Sequence, residues 1–343
     1  MKKLLTLAAA FAIATLVVAT TGCGSDSTPN PLITYVARSN SDGYAPHLFT
    51  LSTTTATPNA VAISIPSSSF FVVPNSTATA VTYSRSDNGG AGIDVFLMGT
   101  DSEEKPLTTD GESLDSVFSP DAKTIAYVDE SNDGDQIFTM NADGSNQKAL
   151  YAPAPDVAYA YYPEFSPDGK SIAFYVEVAG SGTPAQTRGP GLSGMSPQRY
   201  FHSRHVGAHV SRSGNPQVTD PTVSGWYTMA LTDQTPTLVY ATTDAWGPAI
   251  FAANGKALLF TVCGDTACNI TSTDFNGTLT QLTTSTDTYD YAAVPYMNLI
   301  LFSRYDSTSS SYDIYVMGQT GANQTLVNST PNTEEFLVDA YAD

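Results

Sequence analysis

Positive charge is scarce in this chain: 14 Lys and Arg stand against 33 Asp and Glu over 343 residues, a formal net charge of −19. A surface of that sign repels phosphate backbones, which argues against a nucleic-acid partner. Charge of either sign is thin, at 14% of residues against about 25% in an average soluble domain. The polar surface must therefore come from Ser, Thr, Asn and Asp, which favour strands and turns over helices. Hydrophobic residues reach 41%, enough for a packed core, so disorder is excluded for most of the length. Catalytic signatures are also missing. No Gly-x-Ser-x-Gly occurs, and the nearest string, Gly191-Leu192-Ser193-Gly194-Met195, lacks the final glycine.

The first 23 residues carry an address. Lys2 and Lys3 precede an uncharged apolar run from Leu4 to Ala19, followed by Thr20-Thr21-Gly22-Cys23. A run this short at the N-terminus reads as a secretory signal, not a membrane-spanning helix. The Gly-Cys ending resembles the lipobox of bacterial lipoproteins, which implies lipidation at Cys23 after removal of residues 1–22. Thr20 stands where that family usually has Leu. Residues 23–31 form a polar tether with two prolines. Gly24, not Asp, follows Cys23, which points to the outer membrane in a cell that has two. Loss of Lys2 and Lys3, with no acid removed, deepens the net charge from −19 to −21. The other two cysteines, Cys263 and Cys268, have four residues between them across an expected hairpin. In an oxidising compartment that spacing suggests a disulfide, and zinc would need two further ligands close by.

Internal repetition organises the rest. Phe118 opens F-S-P-D-A-K-T-I-A-Y, Phe165 opens F-S-P-D-G-K-S-I-A-F, and Phe251 opens the weaker F-A-A-N-G-K-A-L-L-F. Each reads as a strand, a tight turn and a second strand with alternating apolar residues. Downstream of each lies an aromatic or aliphatic strand, seen around Phe49, Phe96, Phe138, Tyr227, Ile270 and Tyr315. Most neighbours in that series are 42–47 residues apart, and a period near 44 with about four strands per unit is a propeller signature. The Phe-Ser-Pro-Asp-Gly-Lys hairpin with its Ile-Phe-Thr-Met-Asn-Ala-Asp-Gly strand resembles the TolB-like, WD-repeat-like propeller family. The resemblance covers about residues 32–343 and implies an all-β, six-bladed β-propeller. Expected blade boundaries are about 32–66, 67–110, 111–156, 157–240, 241–284 and 285–330. The tail Phe336–Asp343 would supply the missing first strand of blade one and remove an open sheet edge. TolB itself has a separate domain before its propeller, whereas here the tether runs straight into the first blade, so its partner is not carried over.

One spacing breaks the period. Phe138 and Tyr227 are 89 residues apart, and the excess lies at about 181–222. This stretch holds four of the seven arginines and three of the four histidines, with Asp220 its only acid. Four readings stand: a long surface loop, an out-of-frame stretch, a degenerate extra blade, or a metal site. In the last, His202, His205 and His209 would share one helical face and bind zinc or another transition metal. Gly207 and the lack of a neighbouring carboxylate weigh against it.

Other candidates have plainer alternatives. Asp129-Glu130-Ser131-Asn132-Asp133-Gly134-Asp135 resembles half of a Ca²⁺ loop, but Met140 occupies the position of the closing Glu. A hairpin turn accounts for it as well, and Asp121 and Asp168 read as turn formers. Residues ahead of each inner strand, Asp115, Tyr161, Trp246 and Tyr289, are expected at one mouth of the central channel, where they could hold a sugar or peptide. Propellers of this type also cap serine peptidases, but the hydrolase domain needs about 200 further residues, so no such activity is expected. The expectation is a monomeric, lipid-anchored, non-enzymatic scaffold that binds a protein or glycan partner in the cell envelope. The alternative is a metal-dependent enzyme resembling polysaccharide lyases.

Overall fold

The computed structural model describes residues 32–341 except 40–44, 53–57, 87–91, 131–133, 155–156, 180–220, 234, 244–246, 265, 297, 307–310 and 330–332. Every regular element among the described residues is a strand. In chain order these are β1 (Leu32–Ser39), β2 (His47–Ser52) and β3 (Pro58–Ala60); β4 (Phe70–Pro74), β5 (Ala80–Ser86), β6 (Ile93–Gly99) and β7 (Glu104–Pro106); and β8 (Ser113–Phe118), β9 (Thr124–Asp129), β10 (Gln136–Asn141) and β11 (Lys148–Tyr151). There follow β12 (Ala158–Phe165), β13 (Ser171–Val178), β14 (Gly225–Ala230) and β15 (Thr237–Ala241), then β16 (Ile250–Phe251), β17 (Ala257–Cys263), β18 (Cys268–Asp274) and β19 (Leu279–Gln281). The last are β20 (Tyr289–Tyr296), β21 (Leu299–Asp306), β22 (Ser311–Gly318), β23 (Thr325–Asn328) and β24 (Thr333–Tyr341).

Strands β4–β7, β8–β11 and β12–β15 form three separate four-stranded antiparallel sheets. The remainder form one twelve-stranded sheet, in which the antiparallel runs β16–β19, β20–β23 and β24-β1-β2-β3 meet only through single parallel pairings, Cys268 with Tyr289 and Tyr312 with Glu334. The last strand joins the first: β24 pairs antiparallel with β1 from Leu32–Tyr341 to Ser39–Thr333. The first strands of successive units touch in a closed circuit, β4 to β8 to β12 to β16 to β20 to β24 and back to β4. Such a circuit leaves a central channel lined by those strands.

Five of the units repeat one internal contact. Tyr35, Tyr83, Tyr127, Phe174 and Phe302, all on second strands, face Phe49, Phe96, Phe138, Tyr227 and Tyr315 on the third. Ring centroids within these pairs lie 5.3–6.4 Å apart. Cross-strand aromatic pairs of this kind contribute about 0.5–1.5 kcal/mol beyond their buried area. The β17–β18 hairpin departs from this pattern. Phe260 faces Thr271, and its ring stacks instead on Tyr240 of the neighbouring sheet at 5.2 Å. The structural counterpart of Tyr227 is therefore Thr271 and not Ile270, which aligns with the inward-packed Trp226.

The hairpin turns between first and second strands share one hydrogen-bond scheme. Ser119 Oγ donates to Asp121 Oδ1 and accepts Thr124 N–H, and Ser166 Oγ does the same with Asp168 and Ser171. In the third copy Asn254 Oδ1 accepts Lys256 N–H, as Asp121 accepts Lys123 N–H and Asp168 accepts Lys170 N–H. A further copy spans Asn75–Ala80, where Asn75 Oδ1 accepts the Thr79 and Ala80 N–H groups. The fourth turn residue is left-handed in all of them: Ala78 (φ 52°), Ala122 (56°), Gly169 (65°) and Gly255 (64°). Neighbouring turns lie against one another, since a Cβ on Gly169 would stand 3.6 Å from Pro120.

Candidate functional site

The molecule has two ends. At the turn end the first strands finish in the hairpins just described. At the other end, the mouth end, first strands begin and second strands finish.

Asp115 occupies the channel wall near the mouth end. Strands β4, β8 and β12 each bulge at the same place, between Phe70 and Val73, Leu114 and Val117, and Tyr161 and Glu164. In each bulge one non-glycine residue takes a left-handed backbone: Phe71 (48°), Asp115 (53°) and Tyr162 (56°). That conformation costs on the order of 1–3 kcal/mol per residue and re-aims the side chain. Asp115 uses the new direction to join three sheets. Its N–H donates to Ser84 Oγ of β5 (3.1 Å), and its Oδ2 accepts the Tyr162 N–H of β12 (2.9 Å). The residue as a whole is half-buried, and its carboxylate is enclosed by protein. Desolvation pushes its pKa up to about 7, only partly countered by the Tyr162 N–H. Burial also raises the Tyr162 phenol, with further contributions from Asp115, Tyr175 and Glu177.

The other expected mouth residues separate. Tyr161 is buried on β12; burial first, then the nearby Asp135, Glu177 and Glu130, raise its phenol well above the usual tyrosine range. Tyr289 is buried in a different cluster, with Tyr291, Tyr305 and Tyr312 packed around Cys268. Trp246 lies outside the described residues, as do Cys23, the histidines His202, His205 and His209, and nearly all of the 181–222 segment. Asp115 and Tyr161 are thus brought to adjacent strands, linked through Tyr162, while Tyr289 belongs to the far side of the ring.

Cys263 and Cys268 face each other across the β17–β18 pair, with their sulfurs 1.97 Å apart. Cys268 Sγ also lies 3.2 Å from the Tyr291 hydroxyl. Among the described residues no group of three or more His, Cys, Asp and Glu is placed to hold a metal ion. The acidic run Asp129–Asp135 joins β9 to β10, whose end residues Asp129 and Gln136 pair directly. Met140 is buried on β10.

Phe71, Tyr162 and Ser84 escape a reading of residue types, because their role comes from backbone bulges. The spacing from residue 71 to 115 to 162 follows the repeat, and that periodicity is the signal that could have found them.

No family model matches the chain, and no curated protein matches it. Solved structures do. TolB from Acinetobacter baumannii superposes with a TM-score of 0.58 at 15% identity, covering 90% of this chain and 67% of that one. A putative TolB from Agrobacterium tumefaciens gives 0.55 at 13%, covering 90% and 97%. Oligogalacturonate lyase from Vibrio parahaemolyticus gives 0.50 at 10%, covering 88% and 74%. At these identities the likeness speaks to fold alone: the chain is an all-β propeller of the TolB kind.

Proposed function

We propose that this chain is a six-bladed propeller, tethered by a lipid on Cys23 on the extracytoplasmic side of the envelope, that binds a protein or glycan partner without chemistry of its own. The closed circuit of six first strands, with β24 completing the β1–β3 sheet, supports the blade count. The address rests on Lys2, Lys3, the apolar run and Gly22-Cys23, with the Cys263–Cys268 bridge in keeping with an oxidising compartment.

The observation that carries the binding role is Asp115: a half-buried residue with a strained backbone on a channel-lining strand, tied to the two neighbouring sheets. Backbone strain joined to a raised carboxylate pKa on a channel-lining strand marks a binding site more than a structural turn. The test is photo-crosslinking in native membranes from a photoreactive residue at position 115. One discrete partner band that vanishes when the probe is moved to the outer strand β19 supports the scaffold. No band, together with an unacylated mass for the mature protein, overturns it.

The likeness to oligogalacturonate lyase favours one second reading, a metal-dependent enzyme acting on an acidic polysaccharide. His202, His205 and His209 would be its ligands, and zinc or Ca²⁺ its metal. Stoichiometric metal retained through dialysis and lost in His205→Ala would move weight to it.

A further inference from the structure

A cleft of about 960 Å³ opens at the turn end, between the sheets β8–β11 and β12–β15. We propose that this cleft binds a neutral oligosaccharide, independently of the channel mouth at the opposite end.

Its walls are the two sister turns, Asp121 on one side and Asp168 on the other, with Asn146 and Lys148 at the rim. The carboxylates are held ionised, each first by the hydroxyl of its own turn, Ser119 or Ser166, and next by a backbone N–H. Each spends Oδ1 on those bonds. Lys123 and Lys170 lie beside the two acids and Lys148 beside the rim, so the cleft selects neither a strong anion nor a strong cation. What remains is a ligand that both donates and accepts without net charge. Vicinal hydroxyls do this.

The floor is apolar: Leu150, Phe165 and Leu231 give a base of the sort that packs against the C–H face of a sugar ring. At the rim Asn146 adopts a left-handed backbone (φ 56°), and its side chain makes no hydrogen bond among the described residues, leaving an amide free to face the ligand. The volume is at the upper end of the ~300–1,000 Å³ of small-ligand sites, room for a short oligosaccharide.

The experiment titrates the full chain in detergent with four neutral trisaccharides, cellotriose, maltotriose, mannotriose and N,N′,N″-triacetylchitotriose, and with tri-alanine, by calorimetry and ligand-observed NMR up to about 10 mM. The expected result is saturable binding of at least one trisaccharide, weakened about tenfold or more by both Lys148→Met and Asn146→Gly. Both side chains are exposed, so both variants should fold, and Asn146→Gly suits the left-handed backbone. No trisaccharide binding, binding that survives either substitution, or saturation by tri-alanine alone overturns the proposal.

Discussion

The two ends of the propeller treat carboxylates in opposite ways. At the turn end the exposed Asp121, Asp143 and Asp168 and the half-buried Asp274 are drawn below the usual carboxylate range, the first three chiefly by a serine hydroxyl and Asp274 by the Thr278 N–H. Near the mouth end Asp115 is pushed up to about 7 by desolvation. The repeated end is generic: each turn satisfies itself with its own backbone, so its acids stay charged. The unrepeated end is particular, because its groups meet partners from other strands, Asp290 with Arg304 and Asp115 with Ser84 and Tyr162.

Stability should follow the same division. A carboxylate whose pKa is lowered on folding favours the folded state above about pH 4, and that contribution is lost as pH falls through the folded pKa. Asp115 has the reverse sign. Between about pH 4 and pH 7 the folded form holds a proton that the unfolded chain releases, so its contribution grows less favourable as pH rises.

The comparison is broken most severely at the mouth end by Arg304→Ala. Arg304 Nε and Nη2 pair with both Asp290 oxygens at 2.6 and 2.8 Å, and Asp290 is fully buried. Stranding that charge should cost about 3–5 kcal/mol in denaturant unfolding, against a turn-end control, Lys123→Ala, that costs under about 0.5. Next in size, Asp115→Asn keeps an acceptor for Tyr162 and removes the titration. Its stability should match wild type near pH 4 and exceed it by about 2–4 kcal/mol above pH 7, read from melts across that range. A gap that does not widen with pH would place Asp115 in contact with bulk solvent. Reduction of the Cys263–Cys268 bridge, which closes a loop of four intervening residues, should cost about 2 kcal/mol by chain entropy. The smallest effect sharpens the turn end: Ala122→Gly relieves a left-handed alanine where two sister turns carry Gly169 and Gly255, and should raise stability by about 0.5–1 kcal/mol.

Much of this architecture was legible because the turns are written in distinctive residues. Phe118, Phe165 and Phe251 announce their hairpins through Pro-Asp-Ala, Pro-Asp-Gly and Asn-Gly chemistry. The copy at Asn75–Ala80 is silent, since Asn75 supplies with one side-chain oxygen what serine and aspartate share elsewhere, and Ala78 stands in for glycine. Ile270 shows the limit of alignment by residue type: it is aliphatic and near the right spacing, yet register assigns the position to Thr271. The channel was less legible still. Asp115 could be named from its place before a strand, but the bulge that turns it toward Tyr162 is a backbone event shared by Phe71, Asp115 and Tyr162, three residues with nothing chemical in common.

The pairing of β24 with β1 has a mechanical meaning. Leu32 and Tyr341 are register partners, so the two ends of the ring leave it from one point. A pull applied between them loads the hydrogen bonds of that ladder one at a time, as a zipper and not as a lap joint. The seam should open at low force from the Leu32–Tyr341 end, and the rest of the ring would then feel the load only after the seam has gone.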